Sequence, residues 1–380
     1  LTADRGPADV TNSQAIITSY SPYRPFTSIQ ESGLYIKELE NSELTYEKKH
    51  ELNIGADMGF LNNRINLAVD WYKRNNYDLI GIVNTQGAGG QILKYANIAS
   101  MKSHGIEFTL STKNIKTKDF NWNTDFIFSN AKNEVTDLKQ NANVMELISG
   151  NGFAKQGYPV RGLFSIPFVG LDKDGIPVII NEKGEATSTD INFQERQNTG
   201  FLKYEGPTDP TITGSLGNMF SYKGFRLNLF ITYSFGNVIR LNPVFKAYYS
   251  DLTAMTREFK NRWTLPGDET KTNVPAILSK RMYDSNEDLK YAYNAYNYST
   301  ERIAKGDFIR LKEISLAYDF PKAWINPLKL TDLSLKVQAT NLFLIYADDK
   351  LNGQDPEFFN AGGVASPVPR QFTITLRLGL

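Results

Sequence analysis

His50 and His104 are the only histidines in 380 residues, and there is no cysteine. Disulfides and cysteine-held metals are therefore excluded. A histidine pair is left as the only imidazole set for a metal or for acid–base work. One of the two begins an alternating segment and the other lies near the end of another, where isolated polar residues need no chemistry. A hydrolase would need Ser or Thr beside one of them, and the sequence offers little of that kind, so no catalytic residue is assigned. The stretch "DKDG" (Asp172–Gly175) has the start of a calcium loop. An EF-hand needs Gly at position 6 and Glu at position 12, whereas here Gly is fourth and Lys183 is twelfth. A β-turn fits better, with a looser calcium site in the loop as the alternative. "GAGG" (Gly87–Gly90) lacks the strand–loop–helix setting of a nucleotide loop and reads as a flexible tip; no cofactor is assigned. The remaining candidates are aromatic. Tyr248, Tyr249, Trp263, Tyr293 and Tyr296 fall in one long polar segment. Their ring faces suit stacking on sugars, but equally suit packing within the loop or against a protein partner.

Bulk properties narrow the class. The net charge is +1, from 42 basic and 41 acidic residues, which gives no footprint for nucleic acid. No polybasic run points to a membrane-surface anchor. With a mean hydropathy of −0.38 and no run of ~20 apolar residues, a transmembrane helix is excluded. A transmembrane β-barrel is not, because only alternate residues of its strands meet lipid. Aromatic residues make up 12%, mostly Tyr and Phe.

The elements that would position these residues are strands. In Glu51–Lys73, Leu52, Ile54, Ala56, Met58 and Phe60 alternate with Glu51, Asn53, Gly55, Asp57 and Gly59. After "LNN", Ile65, Leu67, Val69 and Trp71 resume the pattern. Period-2 alternation separates two faces of a strand. Counterparts follow around Ile106–Leu110, Phe120–Phe128, Leu216–Tyr222, Phe225–Phe235, Ile314–Phe320, Leu333–Ala339 and Phe372–Leu380, nine strands in all. Their connections alternate. Short links follow Phe60, Ser111 and Tyr222, and a medium one follows Phe320. Long polar ones run over Asn75–Ser100, Ala131–Pro210, Gly236–Asp307 and Tyr346–Arg370. Membrane barrels keep short turns on one side and long loops on the other. Aromatics sort the same way. Phe60, Phe120, Trp122, Tyr222, Phe225, Tyr318 and Phe320 lie at short-turn ends, and Trp71, Tyr233, Phe235 and Phe343 at long-loop ends, as interfacial girdles do. The expected fold is all-β, a transmembrane antiparallel barrel with Leu227, Leu229, Ile231 and Leu376 toward lipid. Arg226, Asn228, Thr375 and Arg377 are expected toward the lumen. Arg310 and Lys312 share parity with Ile314 and are expected above the bilayer, at the extracellular rim. Asn242–Trp263 has helical spacing of Phe245, Tyr249, Leu252, Met255 and Phe259.

Six stretches, in order, carry a family likeness: Leu44–Ile80, "NIASMKSHGIEFTL" (Asn97–Leu110), "RWTLPGDE" (Arg262–Glu269), "GDFIRLKEISLAYDFP" (Gly306–Pro321), "ATNLFLIY" (Ala339–Tyr346) and "NGQDPE" (Asn352–Glu357). With them the chain resembles the C-terminal part of SusC/RagA-type, TonB-dependent outer-membrane transporters of Bacteroidetes. The resemblance implies residues 1–380 as part of one barrel of roughly 22 strands, with residues 236–307 a large extracellular loop. The signal, the plug and the first strands are expected in a preceding portion, whose first strand would pair with Gln371–Leu380. It implies import of oligosaccharides or peptides with a SusD-like surface lipoprotein, energised by the TonB–ExbB–ExbD complex, and a periplasmic C-terminus. The family usually ends on an aromatic residue; this chain ends on Leu380. Two other classes stay open on the residues alone: a barrel enzyme and a lectin-like glycan-binding β protein.

Overall fold

The structure is a computed structural model and describes residues 2–3, 15–20, 33–87, 92–247, 249, 255–359 and 369–379. Nine long strands dominate it. They are β1 (Lys48–Phe60), β2 (Ile65–Asn84), β3 (Leu93–Lys116), β4 (Phe120–Leu138), β5 (Ile212–Tyr222), β6 (Phe225–Phe235), β7 (Phe308–Asp319), β8 (Asp332–Ala347) and β9 (Gln371–Gly379). Each pairs antiparallel with the next, so chain order and sheet order coincide; the two-residue strand Thr2–Ala3 adds to the far side of β1. No pairing joins β9 to β1 among the described residues.

The short turns have local causes. Leu61, Asn62 and Asn63 take φ of 52°, 54° and 59°, a left-handed run that Asn tolerates better than most residues. Arg64 N–H closes that turn on Phe60 O at 3.0 Å. Lys223 and Gly224 are both left-handed (φ 45° and 88°), as a two-residue turn matching strand twist requires. Two further glycines accept a tyrosine from the strand opposite. A Cβ on Gly105 would lie 2.6 Å from the Tyr72 hydroxyl, and Tyr233 crosses Gly214 to donate to Ile127 O at 2.9 Å.

The two faces of this sheet differ. On one, Leu316 and Val337 keep 48% and 47% of their surface exposed although both lie on interior strands. No buried member of the three hydrophobic clusters of the described residues belongs to β1–β9, and of these strands only Ala347, the last residue of β8, packs against one. The other face is polar and paired. Arg74 meets Glu51 at 2.9 Å, Ser111 meets Asp125 at 2.6 Å, and Arg226 meets Asp319 at 2.9 Å. An apolar face that no core covers is what a sheet bathed in lipid presents. Register aligns the girdles: Phe120, Tyr222, Phe225 and Tyr318 form one row across four strands, with Phe225 and Tyr318 rings 4.4 Å apart. The 11 residues of β6 run from that row to Phe235. At ~3.4 Å per residue and a tilt near 40° they span about 26 Å, the height of a barrel's apolar band. One polar chain interrupts the apolar face near the short turns: Trp122 Nε1 and Thr124 donate to Asn218 at 2.9 and 2.8 Å, and Asn114 donates to Thr124 at 2.7 Å. These groups satisfy one another.

Of three sequence expectations, two need correction and one falls partly outside the described residues. Asn75–Ser100 is not a long loop: β2 continues through it to Asn84 and β3 begins at Leu93, so paired strand fills most of it. Of Asn242–Trp263, positions 248 and 250–254, Leu252 among them, lie outside the described residues, and the described part carries one helical turn, the 3₁₀ turn Arg257–Asn261. The helices of this loop come later, as α2 (Lys280–Ser285) and α3 (Leu289–Asn297); α1 (Val144–Ile148) belongs to the preceding loop. Third, Arg310 does not share a face with Ile314. Phe230 pairs with Glu313 and Ile231 with Leu311, leaving Lys312 as a bulge. The extra residue flips the parity of everything before it, so Arg310 points inward and is 3% exposed.

Candidate functional site

The inward face meets the folded loops at the long-loop side, and Arg310 sets that junction. Its guanidinium binds Asp355 at 2.5 Å and Glu357 at 3.1 Å, while Lys312 reaches Glu357 at 3.4 Å. Asp355 also caps the 3₁₀ turn Pro356–Phe358 by accepting from Glu357 N–H at 3.1 Å. Arg310 and Asp355 are buried, so the pair fixes the segment after β8 against the wall. Beside it lies a cavity of about 600 Å³. Its wall includes Thr213, Thr232, Ser234 and Lys312 from the sheet, Arg161, Asn237 and Glu357 from the loops, and the apolar Val238, Ile239, Phe308 and Phe359. Asn237 donates to Thr208 O at 3.4 Å, and its Oδ1 has no partner. Hydroxyls, an amide and balanced charges can hold a polar ligand without demanding one charge sign.

Above the cavity the loops form their own core. Arg240 holds two of them together, donating to Phe164 O at 2.6 Å, Ser165 Oγ at 2.9 Å and Ser299 O at 3.3 Å. Burial lowers its pKa to about 9, so it stays charged at neutral pH. Arg302 instead ties together parts of one loop, pairing with Glu258 at 2.7 Å against the rings of Phe245 and Tyr296.

The aromatic candidates separate on inspection. Tyr293 and Tyr296 are each 1% exposed. Tyr293 donates to Ala276 O at 2.6 Å, and burial raises both phenol pKa values. Both belong to the core beneath α3 and present no face to a sugar. Trp263 donates to Glu269 at 2.9 Å, in a turn where Asp268 accepts from Leu265 N–H at 3.0 Å. That bond leads the causes holding the Asp268 carboxyl at about 2. Tyr249 accepts from Lys246 N–H at 2.7 Å and packs on Phe259 at 5.2 Å; burial raises its pKa. Tyr248 lies outside the described residues, as do positions 88–90 of "GAGG". His50 packs edge-on against Tyr77 at 5.4 Å, and no group of three or more metal-ligating side chains occurs among the described residues. In "DKDG", Asp172 Oδ1 accepts from Asp174 and Ile176 N–H at 2.9 and 2.8 Å, the geometry of a turn. Sequence reading missed Arg302, Arg310, Asp355 and Glu357. The last two sit in "NGQDPE", already marked by its family likeness.

A barrel wall with an uncovered apolar face and a polar, loop-roofed inner face defines the class: an outer-membrane β-barrel. No family model matches the chain. It is 26% identical over 368 residues to TonB-dependent receptor P3 of Formosa agariphila, covering 90% of this chain and 34% of that one. To TonB-dependent receptor SusC of Bacteroides thetaiotaomicron it is 26% identical over 364 residues, covering 90% and 32%. The structure of the RagAB peptide transporter superposes with a TM-score of 0.73 at 23% identity, covering 98% of this chain and 39% of that chain. The chain spans about a third of the length of the curated relatives it matches. The chain is thus similar in sequence to TonB-dependent receptors, SusC among them, and in fold to part of the RagAB transporter.

Proposed function

We propose that the whole protein imports oligomeric nutrients, oligosaccharides or peptides, across the outer membrane. A SusD-like lipoprotein would serve it at the surface, and the TonB–ExbB–ExbD complex would energise it. The observation that carries this reading is the pairing of an uncovered apolar sheet face with a polar inner wall whose cavity opens beneath folded loops. On this reading the long loops are extracellular and the C-terminus is periplasmic. Further strands would cover the edge of β9 and the part of β1 beyond its two pairs with Thr2–Ala3, since an unpaired backbone group in lipid costs several kcal/mol. The named relatives are receptors, and a transport role needs no catalytic group from this chain. The test is a deletion strain supplied with single oligosaccharide or peptide fractions. Loss of uptake of one fraction, restored by the gene and abolished without TonB, supports import; unchanged uptake of every fraction counts against it. Surface proteolysis of intact cells checks sidedness: cleavage within residues 236–307 is expected without breaching the membrane.

A further inference from the structure

A second cavity, of about 370 Å³, lies where the loop between β6 and β7 meets the segment after β8. It shares Phe359 with the larger cavity on the barrel wall. Arg302, 2% exposed, forms part of its lining, with Arg257, Glu258 and Lys350. The single carboxylate is already committed: Glu258 accepts from Arg302 Nη1 at 2.7 Å and from Thr256 at 3.1 Å. Arg302 Nη2 donates to Asn242 O at 3.4 Å, and its Nε has no acceptor. Neither Arg257 nor Lys350 forms a side-chain ion pair among the described residues. Three cations therefore line a small cavity against one carboxylate, and since Arg302 and Glu258 neutralise each other the surplus is the two charges of Arg257 and Lys350, in a chain whose overall charge is only +1. Gln354 and Asn242 add neutral polar groups. The two segments that build the cavity are held in place, one by Arg302–Glu258 and the other by Arg310–Asp355, so the cationic lining is preorganised rather than assembled by the ligand.

We propose that this cavity is a subsite for an anionic group of the substrate, a carboxylate carried by a uronate sugar or by an acidic peptide. The two rim cations, Arg257 and Lys350, supply attraction, and the buried Arg302 guanidinium backs them from the cavity wall. The cavity's size suits one sugar ring or one side chain of a longer oligomer, whose remainder would reach the wall cavity past Phe359. The inference rests on the import reading for its physiological meaning, but binding can be measured without transport.

The experiment uses the full-length protein purified in detergent and calorimetric titration with four probes: trigalacturonate, maltotriose, a tetraglutamate peptide and a tetraglutamine peptide. At least one acidic probe is expected to bind more tightly than its neutral partner, and the one that does identifies the source of the carboxylate. Added salt should weaken that binding. Arg257→Ala combined with Lys350→Ala, both on the exposed rim, should weaken the acidic probe by roughly tenfold and leave neutral probes unchanged. Arg302→Lys keeps the charge while losing the planar fork, and should weaken the acidic probe without unfolding the loop. Equal binding of acidic and neutral probes, no binding of either acidic probe, or an unaltered acidic affinity in the rim variant overturns the inference. Uptake by the deletion strain is scored separately, so that import can stand where this subsite falls.

Discussion

Leu229 and Asn228 are neighbours in sequence and sit on opposite faces of β6. Leu229 pairs with Ile314 on the apolar face, whereas Asn228 donates to Glu313 at 3.4 Å on the polar one. Leu229→Arg near mid-membrane should therefore cost ~2–4 kcal/mol, while Asn228→Arg, beside a carboxylate, should change stability little. Urea unfolding of the refolded full-length protein in lipid vesicles measures both. At the inner wall the decisive residue is Arg310. Removing it leaves Asp355 buried without its partner, which costs ~3–5 kcal/mol. That loss should appear as proteolysis after β8 rather than as barrel unfolding, because Asp355 and Glu357 anchor only that segment. Arg310→Met with Asp355→Leu should recover much of the protection, since an apolar pair of similar volume often replaces a buried ion pair without loss. If the double variant is as easily cut as Arg310→Ala, the anchoring account of this pair fails.

At the scale of elements, the bulge at Lys312 carries the most weight. It lets one strand present Ile314 outward and Arg310 inward. Deleting Lys312 removes the extra residue and leaves Leu311 outward and Arg310 inward, so the strand should keep its pairing with β6. The expected outcome is a retained folded, heat-modifiable band in gel shift assays of the full-length protein, whereas insertion of one alanine between Leu311 and Lys312, which adds a second extra residue, should abolish it. An insertion protein that folds normally would show that the count of residues at the bulge does not matter. This element also marks the limit of what the sequence discloses. Alternation in Phe225–Phe235 and Gln371–Gly379 reveals faces directly, because side-chain direction follows from the period of a strand. A bulge inserts one residue without changing composition, so Arg310 was legible as a charge near a strand end but not as an inward one. The loops behave likewise. "KYAYNAYNYSTE" leaves sugar stacking and packing both open, and α3 turns Tyr293 and Tyr296 into one buried face. Spacing of three residues was visible there; what lay against it was not. The cationic cavity joins residues more than ninety positions apart, and local pattern does not report such a meeting.

For the whole molecule, the sheet order, the nine long strands and the aromatic rows follow from alternation and turn chemistry, and they are the part most legible from sequence. Closure, loop packing and the inner cavity depend on long-range contacts. The central claim is that the apolar face of this sheet meets lipid. The chain contains no cysteine, so single cysteines can be placed along β6 and β9 of the full-length protein and spin-labelled in vesicles, with no native thiol in this region to remove. Labels at positions 227, 229, 231, 374 and 376 should be accessible to oxygen and shielded from a water-soluble nickel chelate. Labels at 226, 228, 375 and 377 should show the reverse. Chelate access at the apolar positions, or accessibility with no period of two, would contradict the account.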